Sequence, residues 1–218
     1  MIDVVQQINA VQRRVGSRVI EAGQARTVII SQVYPAPVED VWDACTSPAR
    51  IPRWFLPVSG ELRLGGRYQL EGNASGTIER CDPPKSFAAT WEFGGETSWI
   101  EVQLTPEPGG RTRLQIEHLA LADAERWAEF GPGAVGIGWD MALLGLAGHL
   151  SAAAPVSPAE GAAWAASGEG RQFMALSSDR WRDASISAHT EPADAQAAAD
   201  RTLAAYTGAP GADDGPGQ

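Results

Sequence analysis

The chain of 218 residues is 44% hydrophobic and 20% charged, the balance of a folded globular protein, which excludes disorder of the whole chain. Its 17 basic and 27 acidic residues give a net charge of −10, so nucleic acid and anionic membrane surfaces are disfavoured as partners. The two cysteines, Cys45 and Cys81, provide neither a disulfide framework nor a thiolate cluster for a metal. No uninterrupted apolar run is long enough to span a bilayer and the N-terminus lacks a signal-peptide pattern, so we expect a cytoplasmic protein.

Composition divides the chain into three parts. Residues 1–155 contain six of the eight tryptophans and are expected to form the main domain. Residues 156–207 are rich in alanine and poor in β-branched runs, which predicts a helical extension. Residues 208–218 have no apolar anchor and are expected to be a disordered tail.

The first elements follow from apolar spacing and turn residues. Val4, Ile8, Val11 and Val15 are spaced as on one face of a helix. Residues 17–22 and 25–34 then flank Gly23-Gln24, which predicts a β-hairpin. Pro37 is suited to the first turn of a helix that covers 38–45, and residues 46–55 predict a second short helix.

A meander of short strands separated by turn residues comes next. The predicted strands are 61–64, 67–70, 76–81, 86–93, 98–105 and 111–121. Apolar and polar residues alternate along the last three strands, so one face is covered and the other is wet. The alternation requires paired residue numbers on the last two strands to have an even sum, which places His118 opposite Ser98 or Ile100.

A long apolar helix over residues 136–154 is expected to cover that sheet. Trp139, Leu143, Leu146 and Leu150 form its stripe. Three further helices are predicted in the extension, over 158–166, 169–189 and 193–208. Since short helices are marginal alone, they should dock, on the same subunit in preference to a second one. The fold class is therefore α+β.

Several spaced motifs carry a resemblance to a known family. They are YPAPVEDVWDACTSPARIPRWF (34–55), LRLGGRYQL (62–70), GTIERCDPPKSFAATWEF (76–93) and GGRTRLQIEHLAL (109–121). Together they resemble the SRPBCC superfamily, with its START-like helix-grip fold, and within it the bacterial branch similar to the C-terminal domain of the activator of heat-shock chaperone ATPase. The resemblance covers residues 26–154. It implies a curved antiparallel sheet wrapped on the long helix, with a cavity between them for apolar small molecules.

The expected ligand-contacting residues lie on the covered sheet face and on the long helix. They are Tyr68, Ile78, Trp91, Phe93, Ile100, Val102, Ile116, His118, Trp139, Met141 and Leu143. We expect no cofactor, because His, Cys, Asp and Glu show no metal-ligand spacing and no cofactor motif has the right context. The expected partner is a small hydrophobic molecule, with no nucleic acid and no membrane, and the protein is expected to be a monomer or a homodimer.

Four individual features remain open at this level. His118 is either a hydrogen-bonded core histidine or a polar group in the cavity that serves as general acid or base. Gly131, Gly133 and Gly136 form a GxGxxG string that lacks the βαβ context of a dinucleotide site, which favours a flexible loop. Asp140 and Glu117 are candidate acids, but the expectation for each is a solvated charge. Trp99 falls on the polar strand face.

Three functions compete. The first is a carrier or sensor of a small hydrophobic molecule, aromatic or lipid-like. The second is a polyketide cyclase- or dehydratase-like enzyme with His118 as its acid or base, in which cavity shape does most of the work. The third is a chaperone-regulating interaction module, which follows from the family label alone. The lack of a catalytic constellation favours the first.

Overall fold

The structure is a computed structural model that describes residues 3–151 and 155–208. Its helices are α1 (Val4–Ala10), α2 (Val38–Thr46), α3 (Ala124–Phe130), α4 (Gly133–Leu150), α5 (Pro158–Ala165), α6 (Gly168–Ser187) and α7 (Pro192–Thr207). Its strands are β1 (Val11–Ile20), β2 (Gly23–Tyr34), β3 (Val58–Gly60), β4 (Arg67–Leu70), β5 (Ser75–Asp82), β6 (Ser86–Phe93), β7 (Glu96–Glu107) and β8 (Arg111–Leu121). A 3₁₀ turn, Ile51–Arg53, follows α2. The tail predicted over 208–218 lies outside the described residues, apart from Gly208.

The strands form an antiparallel sheet in the order β1-β2-β8-β7-β6-β5-β4-β3. β7 pairs with β8 so that Ile100 lies opposite His118 and Val102 opposite Ile116. Both pairs have an even sum, which confirms the predicted register. The α+β helix-grip class predicted from the sequence is likewise confirmed.

The N-terminal helix is shorter than predicted. α1 ends at Ala10 and β1 begins at Val11, so Val11 and Val15 belong to a strand. A spacing of four residues fits one face of a helix but, being even, it also fits one face of a strand. The hairpin turn lies at residues 21–22, and Gly23 opens β2 with a φ of 132°.

The first strand of the meander also lies elsewhere than predicted. β3 is Val58–Gly60, and residues 61–64 form part of the loop to β4. The Glu61 amide donates to the Arg67 carbonyl at 2.8 Å, and the Gly66 amide donates to the Arg63 carbonyl at 2.8 Å. The chain therefore turns back at Gly60, where φ is 99° and a Cβ would lie 2.2 Å from the Arg67 oxygen.

The described residues form two compact units. The first comprises those within Met1–Ile30, Leu121–Met141 and Ala159–Gln218, and it contains α1, β1, α3, the N-terminal half of α4 and α5 to α7. The second comprises those within Ser31–Ala120 and Ala142–Pro158, and it contains α2, β3 to β8 and the C-terminal half of α4. The division of the chain near residue 155 stays a prediction.

In the first unit the GxGxxG string is a packing surface for the extension helices. Contrary to the predicted flexible loop, Gly133 lies inside α4, together with Gly136, at which the long helix was predicted to begin. A Cβ on Gly136 would be 2.3 Å from the Trp181 ring, and one on Gly133 would be 3.2 Å from the Thr202 methyl group. The three predicted extension helices are present as α5, α6 and α7, and α7 ends at Thr207, followed by its C-cap Gly208 in the left-handed conformation.

Asp140 was expected to be solvated, and this was wrong. Its side chain has 0% exposure and forms a bidentate ion pair with Arg13, at 2.6 and 2.9 Å. Ser177 Oγ and Trp181 Nε1 donate to the same carboxylate at 2.6 and 2.9 Å. A carboxylate on an apolar helix stays buried here because four donors from β1 and α6 replace its water.

The second unit combines the strands from β3 to β8 with α2 and the C-terminal half of α4. Leu143 and Leu146 of α4 are buried, and the Tyr34 hydroxyl donates to the Leu143 carbonyl at 3.2 Å. By length and composition α4 is also apolar enough to cross a membrane, a test that the core helix of a soluble protein passes as well.

Candidate functional site

Pairing from β4 to β8 places most of the predicted ligand-contacting residues on one side of the sheet, which we call the inner face. Residues directly opposite each other in neighbouring strands share a face. The strand register aligns three rows there: Tyr68, Gly76, Trp91, Ser98 and Ala120; Ile78, Ala89, Ile100 and His118; Phe87, Val102 and Ile116. Phe93 follows Trp91 by two residues and joins the same face. Eight predicted residues are thus together.

The inner face is apolar but not fully closed to solvent. Ile100, Val102 and Ile116 are buried near its centre. Ile78, Phe87, Trp91 and Phe93 are half-buried on the same face. Solvent therefore reaches large apolar side chains on a face that, from the alternation, belongs to the core. An apolar surface of this kind is what a hydrophobic ligand requires.

His118 and Ser98 form the polar contact on this face. His118 is 5% exposed, and its Nε2 lies 2.9 Å from Ser98 Oγ. Ser98 Oγ donates to the Trp91 carbonyl oxygen at 3.1 Å. A serine hydroxyl has one hydrogen, so Ser98 accepts from His118 and the imidazole carries its proton on Nε2. The Trp91 ring stands edge-on to the imidazole, with centroids 6.0 Å apart.

Burial makes His118 a weak base. Desolvation lowers the pKa of its imidazole from 6.5 to about 4, because the charged form loses its water. The imidazole is therefore neutral at physiological pH. It acts as a hydrogen-bonding group and holds almost no dissociable proton for acid catalysis there.

Tyr68 provides a second polar group, at the start of the row that contains Ser98. Its hydroxyl donates to the Thr90 carbonyl at 2.7 Å, and burial raises the pKa of the phenol well above its usual value. The neighbouring Gly76 leaves room for this strand contact, since a Cβ there would lie 2.0 Å from the Thr90 oxygen. Tyr68 is thus held as a neutral phenol.

The helix residues of the predicted site are divided between the units. Leu143 is buried in the second unit. Trp139 and Met141 belong to the first unit, on the N-terminal half of α4. Their contact with a ligand stays a prediction.

The other candidate groups do not extend the site. Glu117 pairs with Glu101 on the opposite face of the sheet, as does Trp99 with Leu119. Desolvation raises the pKa of the half-buried Cys45 thiol to about 12, so it is no nucleophile at neutral pH. Within residues 3–151 and 155–208, no group of three His, Cys, Asp or Glu side chains is arranged to hold a metal ion.

Sequence reasoning missed two further polar contacts. The Asp140 cluster joins residues 127 apart in the chain, and no local pattern marks such a pair. The second contact joins Arg50 to His149, whose Nε2 accepts from Arg50 Nε at 3.1 Å. Its place in the last turn of a helix was the one available signal.

Comparison with known proteins gives a consistent family. Residues 35–151 match the family described as Activator of Hsp90 ATPase homolog 1-like protein. No curated protein matches this sequence. Among solved structures, the crystal structure of CalU16 from Micromonospora echinospora is similar to this chain. The two share 37% identity with a TM-score of 0.65, and the match covers 83% of this chain and 99% of that one.

The solution structure of CalU16 agrees, with 39% identity, a TM-score of 0.67, and coverage of 82% and 96%. Because 83% of this chain is more than residues 35–151, the likeness to CalU16 includes segments outside the family match. DynU16, a protein from the dynemicin biosynthetic locus, shares the fold with 22% identity, a TM-score of 0.52, and coverage of 59% of this chain and 48% of that one.

Proposed function

The chain belongs to the activator of Hsp90 ATPase homolog 1-like family, and from this premise we propose that it binds a small hydrophobic molecule, aromatic or lipid-like, on the inner face of its sheet, as a carrier or sensor. The observation that carries the proposal is the half-burial of Ile78, Phe87, Trp91 and Phe93 on a face whose centre is closed. These apolar side chains are in contact with water in the free protein. Covering them with a ligand is therefore favourable and stabilises the complex.

The polar pair supports binding and orientation of the ligand. A mostly apolar site needs few polar groups, and these fix how the ligand lies. His118 and Ser98 supply such a group among Ile100, Trp91 and Val102. The neutral imidazole provides no counter-charge, so a charged ligand would bury its charge unpaired on this face. An uncharged ligand avoids this cost. We therefore expect uncharged ligands to be preferred over anions, in keeping with the net charge of −10.

The test is a titration with a neutral polycyclic aromatic probe, N-phenyl-1-naphthylamine, followed by its fluorescence. We expect saturable binding, with affinity about tenfold weaker in Trp91→Ala because a stacking and apolar contact is lost. Trp99→Ala is the matched control, since Trp99 lies on the same sheet but on the opposite face. Absence of saturable binding, or equal loss in both variants, would contradict the proposal.

A second candidate function is favoured by one observation, the hydrogen bond between His118 and Ser98. In a cyclase-like enzyme, a positioned imidazole would take a proton from a reactive chain held by the cavity. With a pKa of about 4, His118 is a weak base and no general acid at neutral pH, so binding remains the better supported function. Turnover of a polyketide-type substrate that is abolished in His118→Gln, while probe affinity is retained, would reverse this order.

A further inference from the structure

Segment 50–55 of the second unit lies against the C-terminal half of α4 at two points. A Cβ on Gly145 would be 2.2 Å from the Trp54 carbonyl oxygen, so backbone and helix are in direct contact there. One turn further along α4, His149 Nε2 accepts a hydrogen bond from Arg50 Nε at 3.1 Å. Since residues four apart share a helix face, both contacts hold the same segment.

The Arg50–His149 bond requires one particular protonation state. A guanidinium group donates and has no acceptor, so Nε2 of His149 has to present its lone pair and the ring proton lies on Nδ1. A second proton on the ring can only be added at Nε2. It removes the acceptor and places a cation 3.1 Å from the guanidinium. The contact is thus attractive when His149 is neutral and repulsive when it is charged.

The surrounding charges are distributed unevenly around the two side chains. Arg50 Nη1 is held by the Asp40 and Asp43 carboxylates at 2.7 and 3.0 Å, and by the Asp40 carbonyl at 3.2 Å. Arg50 therefore stays in place when His149 changes its charge. Desolvation first, and then Arg50 and Arg53, lower the pKa of His149, against an opposing effect of Asp40.

We propose that Arg50 and His149 form an acid-sensitive latch that holds segment 50–55 on α4 at neutral pH and releases it when His149 takes up a proton. Because the carboxylates of Asp40 and Asp43 hold Arg50 on α2, the segment separates from α4 and stays attached to α2. Release loosens the Trp54 contact at Gly145, while the Trp54 indole stays tied to α2 through its 3.0 Å bond to the Ala44 carbonyl. The device is independent of the proposed ligand, because it uses no residue of the inner face.

Hydrogen–deuterium exchange of the intact protein tests the latch. The amides of Arg53, Trp54 and Phe55 donate to carbonyls within this segment, and those of Arg50 and Ile51 donate to the Ser47 carbonyl just before it, so all five report its opening. Between pH 7.5 and 5.0, with labelling times corrected for the intrinsic rate, we expect their protection to fall about tenfold in the wild type, the loss of one hydrogen bond to a charged group. Amides of β7 report the loss of global stability that the low pKa of His118 causes over this pH range, and the change in the segment is compared with theirs.

His149→Gln is the informative variant because its amide oxygen still accepts from Arg50 but does not titrate at these pH values. We expect protection in this variant to be the same at both pH values, while His189→Asn, a change at a histidine of the first unit, behaves as the wild type. Equal protection of the wild type at both pH values would overturn the proposal, as would a fall that persists in His149→Gln.

A second measurement does not depend on any variant. Nitrogen shifts of the His149 ring in the wild-type protein at pH 7.5 should show a protonated Nδ1 and a bare Nε2, and addition of acid should protonate Nε2. A neutral ring with its proton on Nε2 would overturn the latch.

Discussion

The hydroxyl of Ser98 determines which nitrogen of His118 carries the proton. Replacing Ser98 by alanine leaves the buried Nε2–H without this acceptor, and we expect the free energy of unfolding in urea to fall by about 1–3 kcal/mol. Thr97→Ala is the matched control, because Thr97 is the exposed neighbour on the opposite face and should leave stability unchanged. If both variants are equally stable, the hydrogen bond does not hold the ring.

Burial of His118 also links stability to pH. Its pKa is about 4 when folded and about 6.5 when unfolded, so between these values the unfolded chain binds more protons. The stability contributed by the neutral ring is complete above about pH 6.5 and is lost as the pH falls towards 4, by up to about 3 kcal/mol. The difference in unfolding free energy between the wild type and His118→Phe, measured at pH 7.5 and 4.5, isolates this residue. A difference that does not change with pH would contradict the assigned shift.

Asp140 is a second buried polar group, and donors from β1 and α6 hold it. Asp140→Asn leaves the guanidinium of Arg13, which is 4% exposed, without its counter-ion, and we expect a loss of about 3–5 kcal/mol in unfolding free energy. Glu61→Gln removes an exposed ion pair with Arg63 and should change little. A small loss in Asp140→Asn would show that Arg13 finds water when the pair is broken.

At the scale of elements, the glycines of α4 decide whether the extension helices dock. Gly136→Ala places a methyl group 2.3 Å from the Trp181 ring, so α6 has to shift, and we expect about 1–3 kcal/mol of destabilisation from overpacking. Gly161→Ala is the matched control, because this glycine is also helical but has nothing within 4 Å. There the better helix propensity of alanine should stabilise by roughly 0.5–1 kcal/mol. Thermal unfolding of both variants gives the comparison, and a stabilised Gly136→Ala would contradict the close contact.

How well the sequence predicted each element depended on whether its signal was local. β6 and β8 have the predicted bounds, because their alternation and flanking turns identify both ends. The same alternation predicted the register that brings His118 near Ser98. β3 was misplaced, since close backbone approaches at Gly60 and Gly66 set the loop, and such approaches have no periodic pattern.

Contacts between residues that are far apart in the sequence could not be predicted from local patterns. Arg13 and Asp140 look like surface charges when each is seen in its own segment, and their burial depends on donors from a third element. For the same reason the glycine string on α4 suggested a loop. Its partners, Trp181 and Thr202, lie in helices far along the sequence, whose docking site no spacing indicates.

At the scale of the whole molecule, the extension is expected to be part of the folded structure. α6 supplies Phe173 and Trp181, both buried, and Ser177, which donates to Asp140. α7 contributes the Thr202 hydroxyl, which donates to the Phe130 carbonyl at the end of α3. Deleting residues 156–218 removes two of the four donors to a buried carboxylate, and it exposes the glycine face of α4.

We expect the truncated chain to be insoluble or unfolded at 25 °C, because these losses together exceed the marginal stability of a typical domain, about 5–15 kcal/mol. Trp181→Ala in the full chain gives the graded version, with an expected loss of about 3–5 kcal/mol for a buried tryptophan. Solubility, circular dichroism and urea unfolding of both proteins provide the measurement. A truncated chain that unfolds cooperatively at the midpoint of the full protein would show that the extension is dispensable, and that Asp140 and Arg13 are satisfied without α6.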